Sequence, residues 1–194
     1  MATATQITAA ILQASSGQGL NGAMMQPLAA GIGQAVAVWL PKGVTVKCGT
    51  VGFAGAGVLT GTLTVPPLPG AAILFASQGM QGPQSASLAT AISIGIATSV
   101  SGSTFTGPSA SVGMGTALAK VTSANQADLV AMLVQNLPAT FNSEVQTQTQ
   151  IQLASAVGTI ISAQLLLAFG VGMVVGSVSP VSAVGTTTCA VVVP

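Results

Sequence analysis

The chain is organised around a segment that reads QGLNG at Gln18–Gly22 and continues as LAAGI at Leu28–Ile32. Sixty positions later, from 18 to 78, the same order returns as QGMQG at Gln78–Gly82, followed by LATAI at Leu88–Ile92. The second part appears again 65 positions further on, from 88 to 153, as LASAV at Leu153–Val157. Self-similarity at a fixed spacing is typical of repeat architectures. The sequence therefore predicts one structural unit that is written three times.

A short apolar segment precedes each copy, at Ala9–Leu12, Ala71–Leu74 and Val130–Leu133. On this basis we divide the chain into repeats at 1–68, 69–122 and 123–194, the third with a longer helix and a β-forming tail. A unit of roughly 60 residues buries little apolar surface alone, so the units must share a core. The predicted fold is α+β, with a helix pair followed by strands or a hairpin in each tandem repeat. The repeats form one compact domain with pseudo-threefold symmetry.

The first repeat supplies the clearest helix signals. Thr3 or Thr5 can cap a first helix that ends at Gly17, where glycine favours termination. A second helix is predicted from Asn21 or Pro27 to Leu40, and the next residues, Pro41 and Gly43, are expected to stop it.

Beyond Gly43 the apolar period changes from helical to alternating. Val44, Val46 and Cys48 share one face, which predicts a half-buried strand. The glycine-rich stretch Gly52–Gly57 is interpreted as a turn, and Val58–Val65 as the strand that returns from it.

The other two repeats follow the same order with different signals. In the second, Ser87 is expected to cap a helix that runs through Val100, and the strands are predicted at Thr104–Thr106 and Gly115–Val121. In the third, Ser123–Gln126 reads as a capping box, with Asp128 in the first helical turn and Leu129, Met132 and Leu133 on the buried face. A longer helix is predicted to open at Asn142 or Ser143.

The tail, Thr186–Val193, is strongly β-forming, and an exposed strand of this kind is a ready edge for another subunit. Trp39 ends a helix beside Lys42 and is a candidate core or interface anchor. The predicted interface residues are Trp39, Thr186, Thr188, Ala190 and Val192.

Charge is almost absent from this chain. Three lysines and two carboxylates make up 3% of the residues, and there is no arginine, histidine or tyrosine; about 25% charged residues is usual. Half of the chain is apolar, which excludes disorder of the polar, highly charged kind. A free monomer would lack the net charge that keeps proteins apart. We therefore expect a constitutive assembly.

Membrane insertion is the alternative, because Val157–Val178 is apolar and long enough to span a bilayer. Gln164, the lack of an aromatic belt and the lack of flanking lysine or arginine argue against it. The first residues carry no basic segment and no long apolar run, so no secretory signal is expected.

Catalytic chemistry has few candidates. Asp128 and Glu144 lie at predicted helix starts, where interaction with the helix dipole explains them. The lack of histidine excludes histidine-based triads, and a serine–lysine pair suggests no substrate. Gly52–Gly57 is followed by a strand, which argues against a phosphate-binding loop. Three lysines and five scattered phenylalanines do not form a nucleic-acid surface. We expect no enzyme activity, no cofactor and no small-molecule substrate.

Two cysteines, Cys48 and Cys189, fall in the first and third repeats. With no histidine and no clustered carboxylates, no metal site is expected. Two buried thiols are the favoured interpretation, and a disulfide between the first and last repeats, or between neighbouring subunits, is the alternative.

Short alanine-rich helices such as Leu88–Ile92, followed by Gly-x-Gly segments such as Gly55–Gly61 and the GMGT that starts at Gly113, give the chain a resemblance. It resembles small Ala/Gly-rich structural proteins of tailed bacteriophage virions. The resemblance implies a multi-copy part of the neck, tail, baseplate or capsid decoration, located in the virion and assembled in the host cytoplasm. The implied partners are copies of the chain and other virion proteins. No functional residue carries over, because such parts act through shape and contacts.

Overall fold

The computed structural model describes residues 3–112, 117–137, 144–177 and 181–192. Over these residues the chain forms six helices and five strands, so the predicted α+β class is confirmed. In chain order the elements are α1 (Ala4–Gly17), α2 (Met25–Gly43), β1 (Val44–Thr64), α3 (Ala71–Ser77), α4 (Pro83–Val100), β2 (Thr104–Val112), β3 (Ala117–Ala124), α5 (Gln126–Asn136), α6 (Glu144–Leu166), β4 (Phe169–Gly176) and β5 (Ser182–Val192).

The strands close into an antiparallel barrel because β1 occupies two positions in it. Residues 44–53 of β1 lie between β3 and β5, and residues 57–64 lie between β2 and β4. Pairing of β5 with β2 and of β3 with β4 completes the ring. Over the described residues the barrel therefore has six positions, in the order first half of β1, β5, β2, second half of β1, β4, β3.

The hairpin predicted within the first repeat is wrong. Gly52–Gly57 does not turn the chain back, because β1 continues through it with a register irregularity between Ala54 and Gly57. Glycines within a strand permit such bends, and a bulge adds local twist. The bend lets the two halves of β1 pair with different strands, which closes the barrel.

Phe105 fills the barrel interior. Its ring is fully buried and lies against Gly61 and Gly170, where an added Cβ would overlap the ring. Around it the inward residues alternate with outward ones along each strand. The buried side chains of the barrel strands are Val44, Val46, Cys48, Leu59, Leu63, Phe105, Ala117, Ala119, Val121, Val174, Cys189 and Val191.

The helices pack against one another in a closed set of contacts. α1 contacts α2 and α4, α3 contacts α4 and α6, and α5 contacts α2 and α6. Their buried side chains and those of the barrel belong to a single hydrophobic cluster. Helices and strands therefore stabilise each other through one shared core.

The first helix agrees with its prediction. Thr3 caps α1 by accepting from Gln6 N at 3.2 Å, and the Gln6 side chain accepts from Thr3 N at 2.9 Å. This reciprocal pair satisfies two backbone donors at the helix start. Ile7 and Ile11 form the buried face.

The predicted stop of the second helix at Leu40 is wrong. α2 continues through Pro41 to Gly43, although proline removes one helical hydrogen bond. Tertiary contacts hold this last turn: Asn125 N donates to Gly43 O at 2.8 Å, and Trp39 Nε1 donates to Asn125 O at 2.9 Å. Gly43 also packs directly under the Trp39 indole, where a Cβ would overlap the ring.

Two other helix starts differ from expectation. α4 begins at Pro83, not after Ser87, because proline is well suited to the first helical position. α5 is capped by Asn125, whose side chain accepts from Asp128 N at 3.3 Å, and not by Ser123, which belongs to β3. Asp128 does lie in the first turn, as predicted.

The segment proposed to span a membrane is not one helix. α6 ends at Leu166 and β4 begins at Phe169, so Val157–Val178 divides between a helix and a strand. Gln164 is fully buried, and its Nε2 donates to Pro66 O at 3.0 Å and to Ser93 O at 2.8 Å. Among the described residues, no helix combines the length and hydropathy that a bilayer crossing requires.

Some predicted positions lie outside the described residues. These are the proposed cap of the long helix at Asn142 or Ser143, the start of a strand at Gly115, Val178 at the end of the apolar segment, and Val193 at the end of the tail. The long helix itself is present as α6, and the strands predicted around Thr104 and Val121 are present as β2 and β3.

Candidate interaction surfaces

Trp39 lies in the core of the chain. Its side chain is fully buried, and its indole nitrogen donates to Asn125 O at 2.9 Å. Of the two roles that the sequence allowed, core or interface anchor, the structure places this residue in the core, where it connects α2 to the start of α5.

The tail strand β5 is not the free edge that we expected. Its backbone pairs with β1 from Cys189 to Ser182 and with β2 from Val192 to Ala190. The Thr187 hydroxyl also donates to Pro108 O at 2.7 Å, which extends the contact with β2. Each part of β5 therefore has one backbone edge paired inside its own chain, Ser182–Cys189 with β1 and Ala190–Val192 with β2.

Three of the predicted interface residues share the outer face of β5. Thr186, Thr188 and Ala190 are exposed, while Cys189 and Val191 between and beyond them are buried. The side chain of Val192 lies outside the described residues, although its backbone pairs with Thr104. Val184 on the same face is 83% exposed, so the described part of this face carries one large apolar side chain beside two threonines and an alanine.

Cys48 and Cys189 are joined by a disulfide, so the favoured interpretation of two separate thiols is wrong. Both side chains point into the barrel, from β1 and β5, with their Cα atoms 6.5 Å apart. Neighbouring strands brought these residues together across 141 positions of sequence. Spacing alone could not reveal that pairing.

A continuous apolar surface lies on the outside of β4 and its two neighbours. Phe169, Val171, Met173 and Val175 are 47% to 72% exposed, all on the outer face of β4. Leu118 of β3 lies opposite Val171, and Val58 of β1 lies opposite Val175. We call these six residues the β4 face: Val58, Leu118, Phe169, Val171, Met173 and Val175.

Glycine decides which way the side chains of β4 point. Gly170 and Gly172 face inward, against Phe105 and the backbone of Thr60 respectively, where no larger residue fits. Because strand residues alternate between faces, the large apolar residues are forced outward. The sequence signal was present in FGVGMVVG, where glycine takes the core positions, but we interpreted the run as part of one long apolar segment.

Charged groups stand at one end of the β4 face. Lys120 lies opposite Phe169 on one side and opposite Lys47 on the other, and both lysines are exposed.

The two carboxylates of the chain lie at helix starts. Asp128 lies at the start of α5, where Asn125 Nδ2 donates to its Oδ2 at 2.7 Å, and Glu144 begins α6. The described residues include no cluster of three or more potential metal ligands.

A cleft of about 480 Å³ lies between α1 and the end of α4. Its described lining is neutral: Gln6, Ala9, Ala10, Gln13, Thr98, Ser99, Ser101, Gly102 and Ser103. Hydroxyl and amide groups without a titratable partner do not provide acid–base or nucleophilic catalysis.

Comparison with protein-family models, curated proteins and solved structures found no match for this chain.

Proposed function

We propose that the chain is a non-enzymatic structural subunit of a large assembly. The observation that carries this proposal is the β4 face, since monomeric proteins rarely leave large residues such as Phe169 and Met173 exposed side by side. A chain with only five charged residues has little else to keep it dispersed. Burial of this face against a partner removes the exposed apolar surface.

The arrangement of elements supports the proposed pseudo-threefold repeat. Each proposed unit contains two helices and two barrel positions. The first helix of each unit contacts the second helix of the next, as α1 with α4, α3 with α6 and α5 with α2. Around the barrel, each unit's first strand lies between the second strands of the other two units. Because each proposed repeat is paired with both of the others, no repeat can separate without breaking backbone pairing in the barrel.

The absence of charge supports a non-enzymatic role. Asp128 is engaged by Asn125 at a helix start, and Lys47 and Lys120 lie on the outside of the barrel away from any described cleft lining. General acid–base catalysis requires a positioned titratable group near a substrate site. None of the described clefts has one in its lining.

Within this class, we propose a component of a tailed phage virion, such as a neck, tail, baseplate or capsid-decoration protein. Its partners are copies of itself and other virion proteins, and it assembles in the host cytoplasm. Support comes from the resemblance carried by the Ala-rich helices and Gly-x-Gly segments. A fold in which the proposed repeats interlock, and which has an apolar outer face, suits a subunit of a permanent assembly.

Locating the chain in particles tests this role. Antibodies raised against the purified chain would be applied to particles sedimented from cultures that produce it, and gold labelling would be read by electron microscopy. We expect labelling at one fixed position on each particle, with the chain enriched in the particle band. A chain that stays in the supernatant when particles sediment would contradict the proposal.

A further inference from the structure

We infer that the β4 face binds a second copy of this chain in a twofold contact, in which the same six residues meet on both sides. The inference rests on the proposed function for the premise that copies assemble, and it adds the surface through which they do so. In a twofold contact, the same surface is used on both copies, so that if one residue contacts a second residue of the other copy, the reverse contact is also made.

The size of the exposed apolar surface favours a dimer contact. At roughly 150 Å² for each side chain, the lower end of the range for aromatic residues, the exposed fractions of the six residues amount to roughly 540 Å². That is near the upper limit for the largest apolar patch of a typical monomer, about 300–600 Å². A stable interface buries about 800 Å² per partner. The β4 face therefore supplies most of what one side of a dimer needs.

The surroundings of the face resemble the rim of an interface. Thr60 and Thr62 of β1 lie opposite Met173 and Val171 and are exposed on the same side of the sheet. An apolar centre bordered by hydroxyl groups is the usual composition of a protein–protein contact.

Charge selects the orientation and the kind of partner. Lys47 and Lys120 lie together beyond the Phe169 end, and the Val175 end has no described charged residue beside it. Two copies in antiparallel orientation place their lysine pairs at opposite ends, where they do not repel. The middle of the face, at Val171 and Met173, then lies near the twofold axis. An uncharged face of this kind meets an identical uncharged face without any loss of ion pairing.

The test compares two exposed valines, one on the β4 face and one outside it. Val175 is 72% exposed on the β4 face, and Val184 is 83% exposed on β5, outside that face. Purified wild type, Val175→Lys and Val184→Lys would be measured by sedimentation equilibrium over a range of concentrations, with circular dichroism to verify folding. One chain has a mass of 18.7 kDa.

We expect wild type and Val184→Lys to sediment at twice the mass of one chain in the micromolar range. Val175→Lys should remain folded and sediment as a monomer, with a dissociation constant raised about 100-fold or more, because a lysine within the apolar contact loses its hydration and lies at the end of the face that meets the lysine pair of the other copy. Met173→Thr, a milder change, should weaken association in the same direction and serves if Val175→Lys fails to fold.

Two results would overturn the inference about the β4 face. Neither would contradict the proposed structural role, which the particle experiment tests separately. In one, Val175→Lys and Met173→Thr associate as tightly as wild type, which places the contact elsewhere. In the other, wild type is monomeric throughout, which shows that the face does not join copies of the chain. Labelling of particles, in contrast, does not depend on which surface joins the copies.

Discussion

The outer faces of β4 and β5 belong to the same barrel and yet differ in almost every property that governs association. β4 exposes the four large apolar residues Phe169, Val171, Met173 and Val175, whereas the described side chains that β5 exposes are Thr186, Thr188, Ala190 and one large apolar residue, Val184. From the sequence we expected β5 to bind another subunit, because its residues are strongly β-forming. The structure favours β4 as the interaction surface, because that strand leaves large apolar side chains exposed to water.

The difference between the two strands begins on their inner faces. β5 places Cys189 and Val191 in the core, so its outward positions are free to be polar. β4 places Gly170 and Gly172 there, since Phe105 and the backbone of β1 leave no room. Apart from Val174, which is buried, its large apolar residues therefore face out. A strand's role in assembly is thus set partly by what the interior of its own barrel can accommodate.

The largest expected effect tests whether the disulfide that joins β5 to β1 inside the barrel stabilises the fold. The Cys48–Cys189 disulfide closes a loop of 141 positions, and a loop of that length contributes about 5 kcal/mol in the chain-entropy account. We expect reduction, or the double change Cys48→Ala and Cys189→Ala, to lower the melting temperature by roughly 10–20 °C. The measurement is calorimetry with and without reductant.

Reduced wild type is the control for the alanine variant, because it keeps both sulfur atoms and loses only the bond. A reduced protein that melts within about 2 °C of the oxidised one would contradict the view that β5 is held by this bond.

The next effect tests the inner face of β4. A Cβ at Gly172 would lie 2.5 Å from Thr60 O and 3.0 Å from Gly61 Cα, and both are backbone atoms that cannot rotate away. Gly172→Val should therefore cost about 3 kcal/mol of unfolding free energy, at the upper end of overpacking effects. Urea unfolding gives that quantity directly.

Gly49→Val is the matched control for this change. It makes the same substitution in a strand, at an exposed glycine whose nearest neighbour to an added Cβ is Leu118 O at 3.9 Å. Because valine suits strands better than glycine, the control should be neutral or slightly stabilising, within about 0.5 kcal/mol. Equal losses from both variants would show that room inside the barrel does not decide the direction of β4.

The smallest effect comes from exchanging the character of the two outer faces. Val171→Thr with Val175→Thr removes two methyl groups from each copy, four in the dimer, at about 0.5 kcal/mol each because these side chains are already partly buried in the monomer, and should raise the dissociation constant of the dimer roughly 30-fold. Thr186→Val with Thr188→Val on β5 should leave it unchanged within about twofold. Both pairs should alter folding stability little, because the residues are exposed. A tighter dimer from the β5 pair would reverse the comparison.

Local features of this fold could be predicted from sequence because they depend on near neighbours. Thr3 and Gln6 lie three residues apart and cap each other, and the alternation of Val44, Val46 and Cys48 fixes one face of β1. The helix pairs and most strands follow from the same short-range patterns. The choice between a turn and a bend at Gly52–Gly57 does not, since glycine permits both and the pairing partners are distant in sequence.

The candidate surface was harder to predict than the fold. Val157–Val178 reads as one apolar run, and only the tertiary structure divides it into α6 and β4. The direction of the β4 side chains depends on Phe105, a residue in a different repeat. Likewise, α2 continues past Pro41 to Gly43, where its last turn is bonded to Asn125, 82 positions further along the chain, from 43 to 125. Each of these outcomes was determined by a partner far away along the chain.

The most direct test of the central claim is disulfide trapping at one residue on each strand. Both native cysteines are bonded to each other, so a new cysteine is the single free thiol in each variant. Met173→Cys places it near the proposed twofold axis, and Thr188→Cys places it on the outer face of β5. After mild oxidation at low micromolar concentration, the account predicts covalent dimers for Met173→Cys and monomers for Thr188→Cys on a non-reducing gel. Covalent dimers from Thr188→Cys, with none from Met173→Cys, would contradict it.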